Sequence, residues 1–68
     1  MENRLQELRR ERGLTQQELA GAMRVSRQTV IAIEAGKFNP SVILAIKISR
    51  YFGRPVDEIF IIREEDEV

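Results

Sequence analysis

The stretch TQQELAGAMRVSRQTVIAIEAG, residues 15–36, leaves its chain few ways to fold. Thr15 and Glu18 sit at the S/T-x-x-E spacing of a capping box, which starts a helix by satisfying two otherwise orphaned backbone N–H groups. Leu19, Ala20 and Met23 then recur along one helical face. Ser26 opens a second helix as N-cap, with Val30 and Ile33 inside and Gly36 as the stop. Only three or four residues separate the two helices, so they must cross steeply instead of lying side by side. Ala20 and Gly21 are small where the helices are expected to approach, and Val25, Val30 and Ile33 supply the seam.

Caps and period place three more helices around this pair. The first spans about Asn3 to Arg12, with Asn3 as N-cap, Leu5 and Leu8 buried, and Gly13 as the stop. The fourth follows "FNPS": Pro40 disfavours helix at Asn39, Ser41 caps, and the helix runs to Phe52 before Gly53. The fifth is a short "PVDEIF" segment with Pro55 at its first position and Asp57 and Glu58 near its N-terminus. The expectation is an all-α, compact five-helix domain over residues 1–60.

Residues 61–68 differ. Phe60, Ile61 and Ile62 favour strand, and "REEDEV" is strongly acidic. This end reads as a short C-terminal strand or extended arm paired with a partner chain, or as a disordered acidic tail over its last residues. Helix four points the same way. Leu44, Ala45, Ile48 and Phe52 make one stripe for the core, and Val42 and Ile46 make a second. Scattered surface apolars are common, but two stripes in so small a domain favour a second neighbour. Val42, Ile46, Phe60, Ile61 and Ile62 are therefore the expected homodimer interface.

Composition narrows the function. The chain has 68 residues and formal net charge zero, with neither Cys nor His. Disulfides, a metal framework and the common nucleophile–base pairs are thus missing, and no enzyme or cofactor is expected. A chain this short buries only about 60% of its unfolded surface, so good packing or oligomerisation must stabilise it. The apolar runs "VILAI" and "IFII" are too short to span a bilayer and the start is charged, unlike a signal peptide. The expectation is a cytoplasmic protein without membrane or small-molecule partners. Zero net charge hides an asymmetry: residues 1–54 hold ten of the eleven basic residues but five of the eleven acids. Such a basic region is either ordinary solvated surface or the footprint of a polyanion. Nine of the eleven are Arg, which suits bidentate recognition and ion-pair networks alike.

The steep pair of helices is the helix-turn-helix unit, whose second helix offers its N-terminal residues to base edges in the major groove. The helix starts at Thr15–Gln16, Ser26–Arg27 and Ser41 present free N–H groups suited to phosphates. Arg27 suits guanine and Gln28 suits adenine, with Thr29 at the edge of the reading face. "GLTQQELAGAMRVSRQTVIAIEAGKFNPS" resembles the Cro/repressor-type helix-turn-helix family of XRE-like regulators, and the resemblance runs from about Leu5 to Phe60. It implies that Gln16 touches a phosphate and braces the recognition helix, and that Arg27, Gln28 and Ala32 face bases. It further implies that Lys37, Phe38 and Asn39 grip phosphates, and that Arg9 and Glu34 form an ion pair. The chain particularly resembles short stand-alone members, which are dimeric repressors. One residue departs from the pattern: Arg24 stands where the family commonly has a left-handed Gly, adding strain of roughly 1 kcal/mol if φ is positive and a cation that favours a phosphate. The expected partners are double-stranded DNA and a second copy of the chain. A protein-interaction module, such as an antitoxin gripping a toxin, is the competing reading.

Overall fold

The computed structural model describes residues 1–67. In chain order it contains β1 (Glu2–Asn3), α1 (Leu5–Glu11), α2 (Gln16–Met23), α3 (Arg27–Glu34), α4 (Val42–Phe52), α5 (Val56–Ile59), β2 (Phe60–Ile61) and a 3₁₀ turn (Glu64–Asp66). The capping chemistry of α2 is complete. Glu18 N–H donates to Thr15 Oγ1 at 3.0 Å, and Thr15 N–H donates to Glu18 Oε1 at 2.9 Å. Ser26 and Ser41 each accept from the backbone N–H three residues on, at 3.1 Å in both cases. Arg24 closes α2 with φ 60° and ψ 43°, so the left-handed position usually given to glycine is held here by arginine.

Leu5, Leu8, Leu19, Ala20, Met23, Val30, Ile33, Leu44, Ile48, Phe52, Ile59 and Phe60 form one buried cluster, with Val25 and Ala45 packed against it. The helices α1 to α4 each contribute two or more buried apolar residues and α5 contributes Ile59, which is how a chain without cross-links secures a core. Gly21 plays no part in the close approach expected of it. It is exposed, and a Cβ built there meets nothing within 4 Å, whereas its neighbour Ala20 is fully buried.

The two chain ends differ most from expectation. Residues 2 and 3 are strand, not helix, and pair antiparallel with residues 61 and 60 of the same chain. The terminal strand therefore finds its partner in cis, where another chain was expected. Arg4 N–H extends this pairing by donating to Ile59 O at 2.8 Å, which delays α1 to Leu5. Asn3 does not act as N-cap. From the strand its Oδ1 accepts from Leu5 N–H at 3.1 Å, and its Nδ2 donates to Ile33 O at 2.8 Å. Phe60, expected at a dimer interface, is 6% exposed and belongs to the core. Pro55 flanks α5 as its N-cap, one position earlier than expected. In the acidic end, Arg63 N–H donates to Asp66 Oδ2 at 3.0 Å across the 3₁₀ turn. The tail expectation also covers Val68, which lies outside the described residues.

Candidate nucleic-acid interface

The head of α3 is built by its cap. Ser26 Oγ accepts from Thr29 N–H and also hydrogen-bonds Thr29 Oγ1 at 2.9 Å, so the Thr29 hydroxyl is tied to the helix start. Arg27 and Gln28 project from that start and are exposed, while Val30 and Ile33, at 2% and 1% exposure, lock the opposite face into the core. Ala32 is half-buried one turn further on. The result is a helix end whose polar side chains are presented on a backbone fixed by packing.

Beneath it lies a buried electrostatic brace. Arg9 Nε donates to Glu34 Oε2 at 2.7 Å and Nη2 to Glu34 Oε1 at 3.2 Å, while Nη1 donates to Leu14 O at 2.7 Å. The hydrogen bond to Glu34 raises the guanidinium pKa of Arg9 above its ordinary value, against the opposing effect of burial. Gln16 Nε2 also donates to Glu34 Oε1, at 3.2 Å. One amide hydrogen of Gln16 is thereby committed to the brace and the other is left for an outside acceptor.

The other expected contact residues flank α3 in the chain: Thr15 at the start of α2, Arg24 in the turn before α3, Lys37, Phe38 and Asn39 in the loop after it, and Ser41 at the start of α4. All six are exposed, Phe38 to 52%. Lys37 N–H donates to Ala32 O at 3.0 Å, and Gly36, at φ +74°, turns the chain into this loop. Among the described residues Arg24, Arg27 and Lys37 carry no ion pair. Two other basic residues of the region are engaged within the protein. Lys47 Nζ donates to Met23 O at 3.1 Å, closing the C-terminal end of α2, and Arg54 lies 3.9 Å from Glu58. Sequence reasoning missed the Lys47 contact. It joins residues on different helices, and no local pattern marks it.

The sequence profile of the helix-turn-helix family matches residues 5–59, from the first buried leucine of α1 to the end of α5. The chain belongs to the helix-turn-helix family. The family is one of DNA-binding regulators and not of enzymes, and relatives of this chain are named as transcriptional regulators. An uncharacterised helix-turn-helix-type regulator of Methanocaldococcus jannaschii is 51% identical over 66 residues, covering 97% of this chain and 100% of that one. The cryptic phage CTXphi transcriptional repressor RstR of Vibrio cholerae is 32% identical over 57 residues, covering 84% of this chain and 51% of the repressor. The crystal structure of the restriction-modification controller protein C.AhdI from Aeromonas hydrophila superposes with a TM-score of 0.74 at 33% identity, covering 84% of this chain and 86% of that one. Among the described residues, no helix of the protein is long and apolar enough to cross a membrane.

Proposed function

We propose that the protein is a cytoplasmic repressor that binds a palindromic operator as a homodimer, with α3 in the major groove. The observation that carries this reading is the exposed pair Arg27 and Gln28 on a helix start that Val30 and Ile33 hold rigid. Arg pairs with guanine O6/N7 and Gln with adenine N6/N7, each contributing on the order of 1–3 kcal/mol of discrimination. Ala32 adds an apolar contact, and Thr29 sits at the edge of the reading face. Thr15, Gln16, Arg24, Ser26, Lys37, Phe38, Asn39 and Ser41 are the phosphate-contacting set.

Dimerisation draws support from an apolar surface on the α4 side. Val42, Ile46 and Ile62 are 76%, 42% and 64% exposed. A groove of about 250 Å³ between α4, α5 and β2 is lined by Val42, Ala45, Val56, Phe60 and Ile62 among others. Two copies joined through this surface and Ile61 would present two reading heads to a two-fold site.

Selection of bound sequences from a random duplex pool tests the reading, and a palindromic consensus is expected. Gln28→Ala should relax preference at one base pair in each half-site, whereas Lys37→Ala should weaken all sequences alike. Equal affinity of the wild type for every duplex would remove the base-reading claim. Light scattering should return a dimer for the wild type and a monomer for Val42→Asp. A wild-type mass of 7.9 kDa at micromolar concentration would argue against the homodimer.

A further inference from the structure

An open groove of about 560 Å³ separates α1 from the head of α3. Gln6 and Arg10 of α1, Gln16 and Gln17 of α2, and Arg27 of α3 line it around the buried Arg9. No carboxylate is among its lining residues. Three acids on neighbouring turns are engaged elsewhere, while Glu11, beside Arg10 in the chain, carries no ion pair among the described residues and does not line the groove. Glu7 pairs with Arg4 at 2.7 Å, Glu18 accepts from Thr15 N–H, and Glu34 is held by Arg9. Arg9 directs Nε, Nη1 and Nη2 to partners within the chain, so it gives the groove a floor and little free charge. Arg10 and Arg27, in contrast, carry no ion pair among the described residues.

Two uncompensated guanidinium groups and three amide side chains in one concavity make a site for an anion with several acceptor oxygens. Because Arg27 belongs both to this groove and to the base-reading head, an anion seated here lies beside the DNA that the head reads. We propose that the groove holds a backbone phosphate of the bound duplex through Arg10, assisted by Gln6 and Gln17, and that the DNA footprint thereby extends onto α1. The inference rests on the DNA-binding reading above and adds three residues to it.

Affinity for the selected duplex, measured as a function of salt, tests it with wild type, Arg10→Gln, Arg12→Gln and the double variant Gln6→Ala/Gln17→Ala. All four positions are exposed, so the core is left intact. Arg10→Gln is expected to weaken binding to every sequence and to reduce the log–log salt slope by about one, the counterion equivalent of one lost phosphate contact. Arg12→Gln removes the same charge from the end of α1, where the guanidinium lies 5.3 and 5.1 Å from the rings of Tyr51 and Phe52, and should keep the wild-type slope. The glutamine double variant should weaken binding at unchanged slope, because a neutral amide releases no counterion.

A wild-type slope and affinity in Arg10→Gln, with the wild type still binding duplex, overturns the proposal and leaves the DNA-binding reading standing. Unchanged affinity in the glutamine variant overturns their assisting role. Failure of the wild type to bind any duplex overturns the reading beneath the proposal, and the proposal with it. The NMR signal of Arg10 Nε separates a duplex phosphate from a free anion: at matched micromolar concentration duplex, held by its other contacts, should shift it and inorganic phosphate should not. An equal shift with inorganic phosphate overturns the assignment to DNA.

Discussion

The side-chain amide of Gln16 donates to Glu34 Oε1 at 3.2 Å, joining the first turn of α2 to the last turn of α3. Glu34 is in turn held by Arg9 of α1, so three helices meet at one carboxylate. The relationship turns Gln16 from a flexible surface side chain into one with a fixed direction. Its orientation depends on Glu34, at the opposite end of α3 from Arg27.

Removing that carboxylate should therefore be costly. Glu34→Ala leaves the Arg9 guanidinium buried without its partner, and a loss of about 3–5 kcal/mol is expected. The double variant Arg9→Met/Glu34→Leu should recover most of this, because replacing a buried pair with apolar groups is often neutral. It should still bind duplex more weakly than the wild type, since Gln16 is then unheld. Urea unfolding and duplex titration of both variants measure the two effects separately, and equal stability of Glu34→Ala and wild type would contradict the first.

At Arg24 the backbone and the charge act in opposite directions. Its φ of 60° is unfavourable for a residue with a Cβ, so Arg24→Gly should raise stability by up to about 1 kcal/mol. Greater unfolded-chain freedom offsets part of the gain. The same change removes a cation beside α3, and affinity for duplex should fall with a shallower salt dependence. A variant less stable than the wild type would show that the arginine side chain contributes more than its backbone strain costs.

Gly21 lies inside α2 with open space where a Cβ would stand. Ala restricts the unfolded chain and favours helix, so Gly21→Ala should stabilise by roughly 0.5–1 kcal/mol. The thermal midpoint is the measurement, and an unchanged or lowered value would mean that the position is constrained in a way the free fold does not show.

Acid should loosen α2 through its capping box. The Thr15 backbone N–H, followed by the Thr15 hydroxyl, holds the Glu18 carboxyl below the ordinary carboxylate value. A folded-state pKa lower than the unfolded one means that the contribution is present above about pH 4.3 and fades as pH falls through the folded value. Gln at this position keeps the capping hydrogen bond without titrating. The stability difference between wild type and Glu18→Gln, followed by urea unfolding between about pH 5 and pH 3, should shrink or reverse as the pH falls. A difference independent of pH would count against the linkage.

Much of the fold was legible because its signals are local. Thr15, Ser26 and Ser41 cap the three helices they were expected to cap, because a hydroxyl reaches only the N–H groups two or three residues on. The glycines at 13, 36 and 53 take the left-handed backbone that ends a helix at low cost. The exposed polar start of α3 was equally visible, since Arg27 and Gln28 follow a cap while Val30 and Ile33 turn inward at helical spacing.

Two residues of strand at the N-terminus carry no periodicity, so Glu2–Asn3 could not be distinguished from a helix start by pattern alone. Their partners are 59 and 57 positions away, in the pairs Glu2–Ile61 and Asn3–Phe60. The same distance hid the burial of Phe60. The amino-acid sequence alone determined where helices begin and end and which two of them form the helix-turn-helix, because caps, glycine conformations and a 3.6-residue period act within a few residues. Only the tertiary structure decided that the terminal strand pairs in cis, that Lys47 closes α2 and that Arg10 shares a groove with Arg27. Each of these depends on the relative placement of elements far apart in the chain, which packing sets and local chemistry does not encode.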